Sequence, residues 1–181
     1  MATPTSLPAT FVAGNVLTAA QMNSLRGAFR IQQVVSTTKT DTFSAAISAT
    51  WTDITGLNLS ITPTSATSKV LISVNMPLLD NGTSGGQTFL KVTRDGTDIG
   101  VGDAAGNRTQ VGLGQIIANS NRPQGSSFQF LDSPASTSAL DYQVEVWSLS
   151  YTVYVNRAAT DSNSSNYPRS SCTITAMEVS A

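Results

Sequence analysis

The chain has 181 residues, of which 40% are hydrophobic and 12% are charged, and its formal net charge is −1 at pH 7. These values fit one packed domain with an appendage, and the ten scattered Lys and Arg residues are too few to neutralise a row of phosphates, which excludes a nucleic-acid partner. No apolar run approaches the roughly 20 residues that a membrane span requires, so we expect no membrane insertion.

Residues 1–29 are predicted to form an extended arm followed by one short helix. Thr18 and Gln21 have the spacing of a capping box, and Gly27 stands where a left-handed C-cap falls. The apolar residues of the helical stretch are Leu17, Met22, Leu25 and Phe29. Leu17 and Met22 have the spacing of a hydrophobic staple, and the last three residues lie on one helical face.

A helix of about ten residues is marginal in water by itself, so this helix needs a partner surface. Two alternatives are open. The arm and helix dock on another subunit through Leu17, Met22, Leu25 and Phe29, or they fold back over their own domain. The start of the chain also lacks the basic and apolar regions of a secretion signal, which indicates assembly in a cytoplasm.

From residue 30 onward the apolar period changes to two, which indicates β-strands. The residues expected to face the core are Val70, Ile72, Val74, Met76, Leu140, Tyr142, Val144 and Val146. The Asp-Gly pair in RDGT predicts a type I′ hairpin. Many short strands between polar turns, without a second helix, predict an all-β antiparallel sandwich of jelly-roll type over residues 30–181.

The chain contains no histidine and one cysteine, Cys172, which we expect to be a small buried side chain of the last strand. Ser-His-Asp and Cys-His catalysis, imidazole metal ligands and multi-thiolate zinc sites are therefore excluded. We expect no enzymatic activity, no cofactor and no metal site. A histidine-free glycosidase with paired carboxylates, or a Ser-Lys hydrolase, is the enzymatic alternative.

Two aromatic side chains, Trp147 and Tyr154, are candidates for contact with another subunit or with a glycan. Trp147 falls on the polar face of its strand, where subunit contact is the commoner role than sugar stacking. The glycine-rich stretch 100–125 is longer than a strand connection requires, and GQIIA within it has the composition of a short extra strand.

Several stretches resemble known proteins. FVAGNVLTAAQMNSLRGAF resembles the N-terminal motif of small tail-associated proteins of tailed bacteriophages. QVVSTTKTDTFS, WTDITGLNLSITPTSATSKVLI, VTRDGTDIGVGDAAGNR, FLDSPAST and TITAMEV resemble a β-domain that recurs in phage structural proteins. The resemblance covers most of the chain and implies a non-enzymatic virion protein, a homotrimer whose N-terminal segment docks on other virion subunits while the β-domain projects outward.

The resemblance is weakest over residues 107–125, which suits a loop that faces the host. The residues expected to contact a host glycan or protein there are Asn107, Arg108, Asn121 and Arg122. The leading interpretation is a tail fibre or tail-tip protein of the virion. The alternatives are a capsid cement or decoration protein that stabilises the shell, and a carbohydrate-binding module that uses Trp147 or Tyr154.

Overall fold

The computed structural model describes residues 30–80, 86–117 and 123–180, together with the isolated positions 14, 16, 18 and 19. The predicted helix face and two of the predicted loop contacts lie outside the described residues, namely Leu17, Met22, Leu25, Phe29, Asn121 and Arg122. The strands are β1 (Ile31–Lys39), β2 (Phe43–Ala46), β3 (Thr50–Ile61), β4 (Lys69–Asp80), β5 (Gly86–Arg94), β6 (Thr97–Ile99), β7 (Leu113–Ile117), β8 (Gln124–Asp132), β9 (Leu140–Ser148), β10 (Thr152–Val155) and β11 (Cys172–Val179).

Three pairs of strands lie end to end and share one row of a sheet. β10 and β11 both pair with the same edge of β4, and β6 and β7 both pair with the same edge of β5. β1 and β2 in turn pair with β11 and β10. The eleven described strands therefore fill eight rows.

The eight rows form two antiparallel sheets of four rows each. Sheet 1 has the order β1/β2, β10/β11, β4, β8, and sheet 2 has the order β3, β9, β5, β6/β7. Numbered along the chain, the rows read 1-8-3-6 and 2-7-4-5, which is the order of a jelly roll. The predicted all-β sandwich is thus confirmed.

The core lies between the two sheets and contains the residues that the alternating pattern placed there. All eight side chains predicted to face inward on β4 and β9 are buried. They are joined by apolar side chains of β3, β5, β10 and β11, which include the buried Cys172. Alternation works here because each strand presents one face to the other sheet.

Two local predictions are also confirmed. Asp95 and Gly96 have positive φ angles of 49° and 78°, as the type I′ turn between β5 and β6 requires. GQIIA contributes most of β7. Because β7 and the start of β8 fall between residues 107 and 125, the host-facing loop expected over that range is not one continuous loop.

Both ends of the sandwich body meet at one end of sheet 1. β1 begins where β11 ends, and the Ser180 backbone N–H donates to the Arg30 carbonyl at 2.8 Å. We call this end the base, and residues 1–29 join the sandwich there.

Candidate interaction surface

An apolar row crosses the outer face of sheet 1 near the base. Neighbouring strands place its four members directly beside one another, and they are Val34, Met177, Leu71 and Leu131. Their sequence neighbours on the same strands point into the core, so these four side chains point outward. Val34 is 56% exposed and Leu131 is 50% exposed, while Met177 and Leu71 between them are half-buried.

Polar residues bound the apolar row on the side away from the base. The next row outward on the same four strands is Ser36, Thr175, Ser73 and Gln129. On the side toward the base, Ile31 is 54% exposed and pairs with Val179. The apolar row therefore has a polar border on one side, and toward the base the apolar surface continues to Ile31 and Val179, on a sheet face where polar residues are usual.

The outer face of sheet 2 carries an aromatic row instead. Trp51, Trp147 and Phe89 lie side by side on β3, β9 and β5. Phe89 and Trp147 are stacked, with ring centroids 4.9 Å apart and ring planes 11° from parallel. One face of the Trp147 indole is therefore covered by its own chain.

Lys91 completes this outer face with a charge cluster. Its ammonium group lies 2.6 Å from Asp98, 3.2 Å from Glu145 and 4.4 Å from the centre of the Trp51 ring. The Lys91 side chain is only 8% exposed, although it stands on an outer face. The Lys91 charge and the aromatic rings are therefore paired with one another within one chain. Among the described residues, no side chain covers the exposed members of the apolar row on sheet 1 in the same way.

The structure does not bring Trp147 and Tyr154 together. Tyr154 lies on β10 in sheet 1, between the buried Val153 and Val155, so it points to the outer face of the opposite sheet. The Arg157 guanidinium lies 5.0 Å from the centre of its ring. A subunit or glycan contact by either aromatic side chain stays a prediction.

The insertion between β6 and β7, residues 100–112, contains Asn107 and Arg108. Both are exposed, and Arg108 donates to the carbonyl of Ala105 in the same insertion at 3.2 Å. The insertion begins against the Phe130 ring, since a Cβ added to Gly100 would lie 2.6 Å from it. Its exposed part therefore extends from a fixed point on the edge of the sandwich.

Two buried polar groups near the base were missed by sequence reasoning. Glu178 is fully buried and accepts hydrogen bonds from Gln33 at 2.7 Å and from the Thr64 hydroxyl at 2.7 Å and backbone N–H at 2.8 Å. One signal existed for it: Glu178 continues the inward alternation of Cys172, Ile174 and Ala176.

The second polar group is partly buried and joins the two sheets. Arg94 of β5 donates to Asp132 of β8 at 2.6 Å, and the Tyr142 hydroxyl of β9 donates to the same carboxylate at 2.7 Å. Burial and the neighbouring Asp132 charge raise the pKa of Tyr142, so its hydroxyl stays protonated. The three side chains hold the sheets together and offer no reactive group.

The described part of the chain contains no group of three or more His, Cys, Asp or Glu residues that could hold a metal ion. Within the same residues, no helix has the length and apolar character needed to cross a membrane. Both statements cover residues 30–80, 86–117 and 123–180 and the four isolated positions.

Comparison with known proteins gives no family for this chain. No protein-family model and no curated protein matches it. Among solved structures, this chain is similar to a chain in the structure of the Gx strain of infectious bursal disease virus. The two share 16% sequence identity with a TM-score of 0.41, and the match covers 82% of this chain and 37% of that chain. This chain is also similar to T=1 particles derived from infectious bursal virus (12%, 0.43, 82% and 36%) and to a VP2 subviral particle of infectious bursal disease virus (13%, 0.36, 81% and 41%).

This chain therefore spans no more than about two fifths of the length of each of these solved chains, since the largest covered share is 41%. At TM-scores of 0.36–0.43 these likenesses establish neither a family nor a function.

Proposed function

We propose that this chain is a non-enzymatic structural protein of a tailed-phage virion, built into the tail fibre or tail tip as a homotrimer. The observation that carries the proposal is the apolar row, which the sandwich leaves open on an outer sheet face beside the attachment point of residues 1–29. Exposed apolar side chains in a continuous strip favour contact with another subunit. The assignment to a tailed-phage virion rests on the sequence resemblance to tail-associated proteins.

Comparison of the two outer sheet faces also favours sheet 1 as the surface that contacts another subunit. The rings and charges on the outer face of sheet 2 are paired within the chain, so this face offers less to a partner than sheet 1 does. Asn107 and Arg108 stand on an exposed insertion at the edge of the sandwich, which suits the proposed contact with the host surface. The jelly-roll topology alone does not select this function, since viral and lectin domains share it.

The mass of the purified chain tests the proposed oligomer. Light scattering is expected to give about three times the 18.9 kDa of one chain. A double variant, Val34→Thr with Leu131→Thr, is expected to shift the protein toward monomers. The matched control, Ser36→Thr with Gln129→Thr, changes the same two strands on the same face and is expected to keep the wild-type mass. A monomeric wild-type chain overturns the proposal.

The position in the particle is tested separately. An antibody raised against the insertion that contains Asn107 and Arg108 is expected to label virions at the tail. Labelling spread over the capsid would instead assign the chain to the shell as a decoration protein.

A further inference from the structure

We propose that the apolar row receives the N-terminal helix of a second copy of this chain, namely residues 18–29 of the neighbouring subunit. This inference rests on the oligomer proposed above and names the contact that holds it together. Its evidence is the size of the row, the point at which residues 1–29 join the sandwich, and the exposure of the described residues in that segment.

The dimensions of the row and of the helix agree. The row crosses four neighbouring strands, which corresponds to three interstrand spacings or about 14 Å. A helix of about ten residues is about 15 Å long. Met22, Leu25 and Phe29 share one helical face and span about 10 Å along the helix axis, so a helix laid across the strands places them over most of the row.

The polar border of the row also matches the sequence of the predicted helix. At about 100° per residue, Gln21 and Arg26 stand at the two edges of the apolar face. Ser36 and Thr175 lie beside the row on sheet 1, where their hydroxyl groups are 2.9 Å apart. A helix seated on the row therefore places its polar flank against hydroxyl groups and its apolar face against Leu71 and Met177.

The helix of the same chain reaches this position poorly. Val34 lies about 10 Å along β1 from Ile31, and a helix axis stands about 10 Å above a sheet, so the two points are about 14 Å apart. The proposed helix ends at Phe29, and the two residues from Phe29 to Ile31 span at most about 7 Å when fully extended. The chain's own helix therefore does not reach from Ile31 to a position over Val34, whereas the helix of a neighbouring copy has no such limit.

The described positions of the N-terminal segment are consistent with this occupant. Val16 is 90% exposed and Ala19 is also exposed, so the start of the segment does not pack on its own sandwich. A segment folded over its own sheet along its whole length would bury these two apolar side chains there.

Disulfide trapping between two distinguishable chains tests the inference. In a Cys172→Ala background, which removes the only native thiol, one full-length chain carries Leu25→Cys and a second, tagged chain carries Leu71→Cys. After co-expression and mild oxidation we expect a covalent heterodimer containing both chains. Leu131→Cys, at the exposed edge of the row, repeats the test in case the change at Leu71 weakens folding.

The control places the second cysteine at Asn58, which is exposed on the outer face of sheet 2, and no cross-link is expected there. The same cysteines placed in one chain distinguish the occupants. An intrachain disulfide in a monomer overturns the inference, because the helix then covers its own row. An oligomer of the expected mass without any cross-link also overturns it and leaves the proposed function standing, whereas a monomeric parent chain removes the proposed oligomer itself.

Discussion

Glu178 is a fully buried carboxylate near the end of β11. Burial raises its pKa, but hydrogen bonds from Ser68, Gln33 and Thr64 lower it further than burial raises it, and the net pKa lies below the ordinary value. The group is therefore ionised at neutral pH. Because Thr64 belongs to the turn between β3 and β4, the carboxylate holds that turn against the end of β11.

We predict that Glu178→Gln destabilises the fold by about 2–3 kcal/mol at pH 7, because the new amide group meets hydrogen-bond donors. A pKa lowered by folding contributes stability above the unfolded value of about 4.3, and this stability is lost as the pH falls through the folded pKa. The difference between variant and wild type should therefore shrink from pH 7 to pH 3 in urea unfolding.

The exposed Asp53→Asn is the matched control for this prediction and should leave the unfolding midpoint nearly unchanged at both pH values. A Glu178→Gln penalty that is equal at pH 7 and pH 3 would contradict the role assigned to the charge.

The insertion between β6 and β7 allows backbone strain to be separated from steric clash. Gly100 has a φ of +62° and no room for a Cβ beside Phe130, Gly106 has a φ of +61° with open space, and Gly102 has neither restriction. We predict that Gly100→Ala costs about 2–4 kcal/mol, Gly106→Ala about 1 kcal/mol and Gly102→Ala almost nothing. Thermal unfolding of the three variants measures this order, and equal midpoints would show that the insertion does not pack as described.

At the scale of elements, the interrupted row β10/β11 depends on one buried side chain. Residues 156–171 leave the row after β10 and return to it at β11. Asn156, with a positive φ of 62°, donates from its side-chain amide to the carbonyls of Lys39 at 2.9 Å and Asp41 at 3.0 Å. Asn156 therefore joins the first residue of this insertion to the bend between β1 and β2.

We predict that Asn156→Ala lowers stability by about 2–3 kcal/mol, since the buried Lys39 carbonyl and the partly buried Asp41 carbonyl lose their donor and alanine disfavours the positive φ. Replacement of residues 160–167 by Gly-Ser-Gly should leave the melting temperature within a few degrees, because a shorter loop costs little. Thermal unfolding followed by circular dichroism compares the two variants, and a larger loss in the shortened loop would refute this assignment.

The sequence predicts single elements well where the signal is local. The alternation of β9 and the Asp-Gly turn both depend on neighbouring residues only, and both are confirmed. That β10 and β11 share one row is not a local property, since their common partner β4 lies about a hundred residues away for β11. Nothing in residues 156–171 signals that the strand resumes in the same row.

At the scale of the whole molecule, the candidate surface depends on register across four strands. Local alternation places Val34, Leu71, Leu131 and Met177 on outward positions, but each alone is an ordinary exposed or half-buried apolar residue. The pairing of β1, β11, β4 and β8 aligns them into one strip. Side-chain alternation is readable from sequence, whereas register between distant strands is not.

The molecule also has two different ends. The base holds both ends of the sandwich, the apolar row, Glu178 and the Arg94–Asp132–Tyr142 group that joins the sheets. Buried and partly buried polar contacts are thus concentrated at the base, where satisfied hydrogen-bond networks restrict side-chain motion.

Removal of residues 1–29 tests the division between attachment segment and sandwich. Among the described residues, the core side chains begin at residue 35, so we predict that the shortened chain keeps its melting temperature within a few degrees. The deletion also removes the helix proposed to occupy the apolar row, so the shortened chain should be monomeric by light scattering and should bind more of a hydrophobic dye than the full-length chain. Loss of the near-ultraviolet signal of Trp51 and Trp147 would show instead that residues 1–29 complete the core.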